Sequence, residues 1–288
     1  MSSGPFMYVN GRLVAADAAR ISPLDRGFTL ADGVFETMVA VGARVFRLAD
    51  HVERLRQGAA LLLIPLPSEA RLAAAIEETL RANSLPRSIA RLTVTRGSDT
   101  GRGLAVAGDG SPTLVIRVTP RAAVAASPPA GLRVVLAAAR RNATSPLSRV
   151  KSLAYTDGVL ARLEARRAGA DDALFLNTAE RLACGTSSNL FLVHNGTLLT
   201  PPVSEGVLPG VARRTVLEAA AALGIPSVER PLPLADVDAA QEAFLTNVVT
   251  GPAPVVVAAG RPVGQGSIGP VTERLWRAYW GLCEGAGG

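Results

Sequence analysis

Apolar and polar positions along the chain switch repeatedly between a two-residue and a helical period. Residues 6–14 hold two short apolar runs around Asn10-Gly11, which predicts a hairpin with positive-φ turn residues. Residues 34–41 and 43–46 predict a second strand pair about Gly42. From Asp50 the period lengthens. Val52, Leu55, Ala59 and Leu62 recur on one helical face, with Asp50 and Glu53 spaced as a capping box. Leu72, Ile76 and Leu80 are in phase within a helix predicted over 68–83, and 91–95 and 113–118 read as strands around a Gly- and Asp-rich loop, 97–110.

Residues 120–131, PRAAVAASPPAG, are low in charge and rich in Ala and Pro, a linker by composition. Beyond it the pattern predicts a strand at 132–137, a helix at 155–168 and a hairpin from 173–176 returning through Leu182. A strand at 189–193 turns at Asn195-Gly196, and a helix opens at Pro209-Gly210 and runs to about 223. A strand at 242–247, a hairpin through Gly260 and a helix carrying Val271, Leu275 and Trp276 complete the chain. Adjacent strands mixed with interspersed helices predict an α/β (α+β) protein with mixed or antiparallel sheets. Two domains are expected, a smaller one over 1–119 and a larger one over 132–288.

Length and composition agree with such a core: 288 residues, 48% hydrophobic and 19% charged. No apolar run approaches the roughly 18 residues of a membrane span, and MSSGPFMYVNGR has no basic stretch leading into an apolar one. Two cysteines make no disulfide framework and two histidines no metal cluster. The expectation is a cytoplasmic protein with no membrane partner and no metal.

A net charge of +6 and a pI near 10.3 raise nucleic acid as a partner. Yet the cations are scattered singly or in pairs, and aromatics are only 4%. There is no basic stripe with interleaved aromatics, so no nucleic-acid partner is expected. Neither GxGxxG after a strand nor GxxxxGK[ST] occurs, which removes the dinucleotide and P-loop folds.

The cation count changes the picture at one residue. Of 30 Lys and Arg residues, 29 are arginine, and Lys151 is the only lysine. Arginine serves surface charge and ion pairing as well or better. It cannot lose a proton near neutral pH and condense with a carbonyl, as a desolvated lysine can. Composition alone leaves chance survival and a Schiff-base role evenly matched. Downstream, Gly210 precedes a helix whose first amides, at Val211 and Ala212, can hold a phosphate with the positive end of the dipole. Taken alone that is an ordinary helix start. A further loop, FLTNVVTGPAPV, ends a strand with more amides. An aldehyde-reactive lysine with such an anion-holding helix end suggests pyridoxal phosphate (PLP).

Seven stretches, in this order, resemble the fold-type IV PLP enzymes of the class-IV aminotransferase family: DRGFTLADGVFET, FRLADHVERL, TRGSDTGRG, RVKSLAY, CGTSSNLF, GVLPGVARRTVLE and FLTNVVTGPAPV. The family includes branched-chain and D-amino-acid aminotransferases and 4-amino-4-deoxychorismate lyase. The resemblance spans Tyr8 to Trp280. It implies two α/β domains with PLP in the cleft between them, a small-molecule amino substrate and a homodimer. Motif by motif, Lys151 matches the lysine that condenses with PLP, and Arg54 the arginine on its phosphate. Val211 and Ala212 match the pair of phosphate-cradling amides, although the family commonly has threonine at Ala212. Asn247 and Val248 match the third phosphate-side loop, and Tyr155 a tyrosine near the ring. Phe35 and Arg102 fall on the substrate side.

One position departs from the family. Five residues before the Asn of SNLF the family has a glutamate that pairs with the pyridine nitrogen; here stands Cys184. A thiol is a weak donor, so the ring is expected to be a poorer electron sink. Three features place pyruvate elimination from aminodeoxychorismate slightly ahead: RGSDTGRG resembles the lyase signature, LTN precedes Val248, and elimination tolerates a weaker sink. The alternatives are transamination of branched-chain or D-amino acids, or a PLP-binding protein of reduced activity.

Overall fold

A computed structural model describes residues 5–99, 101, 103–106 and 111–285. They fall into two compact units that are not contiguous in sequence. The first comprises the described residues through Ala123 together with Val150–Ala154 and the last residues from Glu284. The second comprises Val124–Arg149 and Tyr155–Cys283.

The first unit is an antiparallel six-stranded sheet: β1 (Phe6–Val9), β2 (Arg12–Ala15), β3 (Gly33–Val41), β4 (Arg44–Val45), β5 (Arg87–Thr95) and β6 (Thr113–Pro120), in the order β2-β1-β6-β5-β3-β4. The expected hairpin joins β1 to β2, with Asn10 at φ 47° and Gly11 at φ 94°. Helices α1 (Arg26–Leu30), α2 (Leu48–Leu61) and α3 (Glu69–Asn83) complete it. Val52, Leu55 and Ala59 of α2 and Leu72, Ile76 and Leu80 of α3 pack on Val34, Met38, Leu92, Val94 and Ile116. The capping box expected at Asp50 is not what starts α2. The helix begins two residues earlier, after Arg47 in the left-handed region, without a side-chain cap. Asp50 instead sits in the first turn, where its charge suits the helix dipole, 3.2 Å from Arg47.

The second unit is a mixed ten-stranded sheet: β7 (Leu132–Arg141), β8 (Asp172–Asn177), β9 (Arg181–Gly185), β10 (Asn189–His194), β11 (Thr197–Thr200), β12 (Ser227–Glu229), β13 (Leu232–Pro233), β14 (Glu242–Asn247), β15 (Gly251–Ala258) and β16 (Arg261–Pro262). Strand β7 runs parallel to both β15 and β8, and β11 runs parallel to β12; the other pairs are antiparallel. Central strands buried on both faces read as unbroken apolar runs, as in Leu190–Val193. Helices α4 (Thr156–Arg167), α5 (Val211–Ala222), α6 (Ala235–Ala239) and α7 (Pro270–Gly285) as far as Cys283 complete the unit. Ala161 and Ala165 of α4 pack against Ala137, Ala173 and Phe175. Among the described residues no helix is long and apolar enough to cross a membrane.

Candidate active site

Lys151 is placed by its backbone. Phe35 N donates to Lys151 O at 2.9 Å and Leu153 N to Gly33 O at 3.0 Å, so Val34 and Ser152 pair antiparallel. Residues 151–153 thereby zip onto the first end of β3. Gly33 permits this: a Cβ there would lie 2.6 Å from Val94 O and 2.7 Å from Leu153 Cδ1. The result sets Lys151 Nζ 4.4 Å from the centroid of the Phe35 ring, while the Arg91 guanidinium stands 3.8 Å from the same centroid. Phe35 is itself buried, so the amine meets an apolar wall.

The helix-facing side of β3 carries Val34, Met38 and Ala40 into the core, and Glu36 lies on that same side, fully buried. Helix α2 supplies its partners from His51 and Arg54, three residues apart on one face. Arg54 Nε and Nη2 donate to the two oxygens of Glu36, each at 2.7 Å, and His51 Nδ1 lies 2.7 Å from Oε2. This side-on fork fixes the plane of the guanidinium. Burial alone pushes the Glu36 carboxyl up, but the Arg54 charge and the His51 hydrogen bond outweigh it and hold it down at about 2. Lys151 moves the other way. Burial first, then the Arg54 charge and that of Arg91, outweigh the opposing pull of Glu36 and bring its amine down to about 8. About a tenth of that amine is therefore unprotonated at pH 7, against well under a thousandth at its ordinary value, and that is the state that attacks a carbonyl.

In the second unit the matched residues collect around Asn189. That residue pairs with Cys184 of β9 on one side and with Thr246, next to Asn247, on the other. Its Nδ2 donates to Leu208 O at 2.9 Å, and a Cβ on Gly210 would lie 2.1 Å from its Oδ1. Only glycine lets α5 start this close. The helix then opens without a side-chain cap, leaving the Val211 and Ala212 amides at its positive end. The Asn247 side chain organises its own loop, accepting from Val249 N at 2.9 Å and Thr250 N at 3.0 Å. Val248 is buried and its carbonyl accepts from Tyr279. Tyr155 caps the start of α4, whose Gly158 lies against the carbonyl of Thr186, two residues past Cys184.

Residues 33–257 match the amino-transferase class IV family. The chain belongs to that family. A putative branched-chain-amino-acid aminotransferase of Methanocaldococcus jannaschii is 35% identical over 284 residues, 96% of this chain and 98% of that protein. The branched-chain amino acid aminotransferase of Escherichia coli superposes with a TM-score of 0.92 at 27% identity, over 98% of this chain and 96% of that one. The branched-chain amino acid aminotransferase of Thermobaculum terrenum, solved in its PLP form, gives 0.89 at 26% identity, over 98% of this chain and 95% of that one.

For this class IV aminotransferase the expectation that put elimination first is corrected. The relatives, similar over nearly their whole length, are branched-chain aminotransferases, which is the alternative reading. The lyase leaning rested on RGSDTGRG, on LTN before Val248 and on the weaker sink expected at Cys184, and these local features weigh less than agreement along the whole chain. Arg102, expected on the substrate side, lies outside the described residues. Of the other expected residues, Lys151, Phe35 and Arg54 come together in the first unit. Tyr155, Cys184, Val211, Ala212, Asn247 and Val248 lie in the second.

Four residues important to these arrangements were not singled out from the sequence: Glu36, His51, Arg91 and Asn189. Glu36 had a legible signal, a lone carboxylate inside the otherwise apolar GVFETMVAV. His51 had a weaker one, as one of only two histidines and three residues from Arg54.

Cys184 stands where the resemblance expects a carboxylate. Burial pushes its thiol up, against the nearby Arg141 charge and with that of Asp172, so the group is a neutral thiol at pH 7. Arg141 Nη2 donates to Ser148 O at 2.9 Å, while its buried Nε has no partner among the described residues. The structure thus places a cation, one donor of which is unused, close to a thiol that carries no charge.

Proposed function

We propose that the protein is a PLP-dependent aminotransferase that moves the amino group of a branched-chain amino acid to a 2-oxo acid. The observation that carries this reading is the pairing of full-length similarity to branched-chain aminotransferases with a half-buried lysine whose amine burial and neighbouring cations bring down to about 8. The donors of each unit suit the cofactor. In the first, Lys151 supplies an amine for its aldehyde and Arg54 a guanidinium held in one plane for its phosphate. In the second, the Val211 and Ala212 amides stand at a helix end of the kind that holds a phosphate. When bound, PLP supplies an aldehyde and a conjugated ring that accepts the electron pair left when the substrate loses its α-proton. Lys151 Nζ is the base that takes up that proton and returns it, and the Phe35 wall keeps water from the amine.

The test is to mix purified, PLP-loaded protein with both enantiomers of leucine, isoleucine and valine and follow conversion of the cofactor to pyridoxamine phosphate. Brisk conversion with at least one is expected. No conversion, with pyruvate released from aminodeoxychorismate instead, would overturn the reading. We also propose that the protein is a homodimer, supported by exposed Leu24, Phe28 and Leu30 in the first unit; a sedimenting mass of one chain excludes it.

The Cys184 position carries its own prediction. A neutral thiol holds a pyridine proton poorly, whereas a carboxylate there would find the Arg141 guanidinium as a neighbour. Cys184→Glu is expected to shift the absorption of the bound cofactor and raise the rate of amino transfer by about tenfold, the factor that 1.4 kcal/mol confers. An unaltered spectrum and rate would mean that this side chain does not reach the ring.

A further inference from the structure

The fully buried carboxylate in β3 makes three contacts with charged or titratable partners. Both oxygens of Glu36 accept from the same guanidinium edge, Nε and Nη2 of Arg54, and Oε2 also meets His51 Nδ1. His51 is 1% exposed, and its other ring nitrogen, Nε2, has no hydrogen-bond partner among the described residues. An uncharged ring satisfies this arrangement best. Nδ1–H donates to the carboxylate, and Nε2 is left with a lone pair rather than a buried proton. Burial, together with the charges of Arg54 and Lys151, holds His51 below its usual range against its hydrogen bond to Glu36 and the charge of that carboxylate. With His51 neutral, one carboxylate stands against two cations, Arg54 and Lys151.

We propose that Glu36 and His51 form a buried positioning pair, in which Glu36 aims Arg54 and supplies the counter-charge for the Lys151 nitrogen while His51 locks the Glu36 carboxylate in place. This inference rests on the PLP reading for its meaning and on the first unit alone for its geometry. The side-on fork takes the Nε edge of the guanidinium and fixes the plane in which Arg54 is held. The titratable groups that bear on the cluster are His51 and Arg54 from α2, Lys151 from the 150–154 segment and Arg91 from β5. Neither Glu36 nor His51 needs to touch cofactor or substrate to do this. They act through Arg54 and Lys151.

The test uses Glu36→Gln and two His51 variants. In the loaded enzyme the visible band of the bound cofactor is titrated with pH. Removing the carboxylate charge is expected to move the midpoint down by about one pH unit or more, the usual effect of an opposite charge at close range. In the cofactor-stripped full-length chain, acylation of the only lysine is followed by mass spectrometry of its peptide. A fall of that size in the amine midpoint makes labelling at pH 7 roughly fivefold faster. His51→Asn keeps a donor near the Nδ1 position and should behave as the native protein, whereas His51→Leu should shift both midpoints in the same direction as Glu36→Gln. A purely structural pair would lower the thermal midpoint and leave these titrations in place. Native-like midpoints in a folded Glu36→Gln protein would overturn the proposal. If that variant does not fold, equal midpoints in His51→Leu and His51→Asn overturn it instead. A native chain that never takes up PLP sinks the functional reading, while the labelling experiment still reports on Glu36.

Discussion

Replacing Lys151 by arginine is expected to abolish amino transfer, lowering kcat/KM by at least about 10³-fold, while the chain still folds. The magnitude follows from losing both the condensing amine and the proton shuttle, since positioned acid–base groups alone contribute about 10²–10⁴-fold. Arginine keeps a cation over the Phe35 ring and in the field of Glu36, so the local charge pattern survives. What disappears is a nitrogen that can be unprotonated. The purified variant should therefore lack the visible absorption of a lysine-linked cofactor even with PLP in excess, and borohydride should fix no label to the peptide containing residue 151. Loss of activity with an intact visible band would place the linkage elsewhere. But no second lysine exists to carry it.

The same residue gives a stability signature in the cofactor-free chain. Its amine sits at about 8 when folded, against an ordinary value of 10.5. Between those values the unfolded chain holds a proton that the folded chain has released. Stability therefore rises with pH across that window, and below it the cost of burying the charge is constant. Lys151→Met should remove both the cost and the slope. An unchanged pH dependence in that variant would mean that the amine is solvated.

These properties were legible in the sequence to different depths. Lys151 announced itself by composition, as the one lysine among thirty cations, and Asn10-Gly11 fixed the first hairpin because few residues tolerate its two positive φ angles. The amphipathic faces of α2 and α3 and the glycine-led start of α5 were equally local patterns, and they appear where the periodicity puts them. Pairing between distant segments was not legible. Nothing local to residues 150–154 says that they join β3 and leave the second unit's chain on either side, because the bonds concerned connect Gly33 and Phe35 to Leu153 and Lys151. Glu36 shows the same limit. Its charge is visible inside an apolar strand, but its role depends on a helix that begins a dozen residues later and turns His51 and Arg54 toward it. Resemblance named Arg54 for its phosphate contact; only the structure shows the carboxylate that holds it.

That carboxylate determines what removing Arg54 will do. Arg54→Ala should weaken PLP retention by about tenfold or more, since a charge-assisted contact is worth about 1.5–3 kcal/mol and each decade about 1.4 kcal/mol. It should also destabilise the chain by about 3–5 kcal/mol, because Glu36 is left buried without its main partner. Two effects of one substitution can be separated by their pH dependence. In the native chain the Glu36 carboxyl is held at about 2, below its usual 4.5, so its contribution is fully present above 4.5 and is lost as pH falls toward 2. Without Arg54, desolvation dominates and the folded carboxyl rises above its unfolded value. The variant then loses stability as pH increases past 4.5, the reverse of the native trend. The double variant Arg54→Ala/Glu36→Gln removes the stranded charge. It should regain most of the stability and none of the affinity for PLP, measured by denaturant unfolding and by cofactor titration of the stripped protein. Affinity recovered along with stability would show that Arg54 serves the fold through Glu36 and that the phosphate is held by other groups.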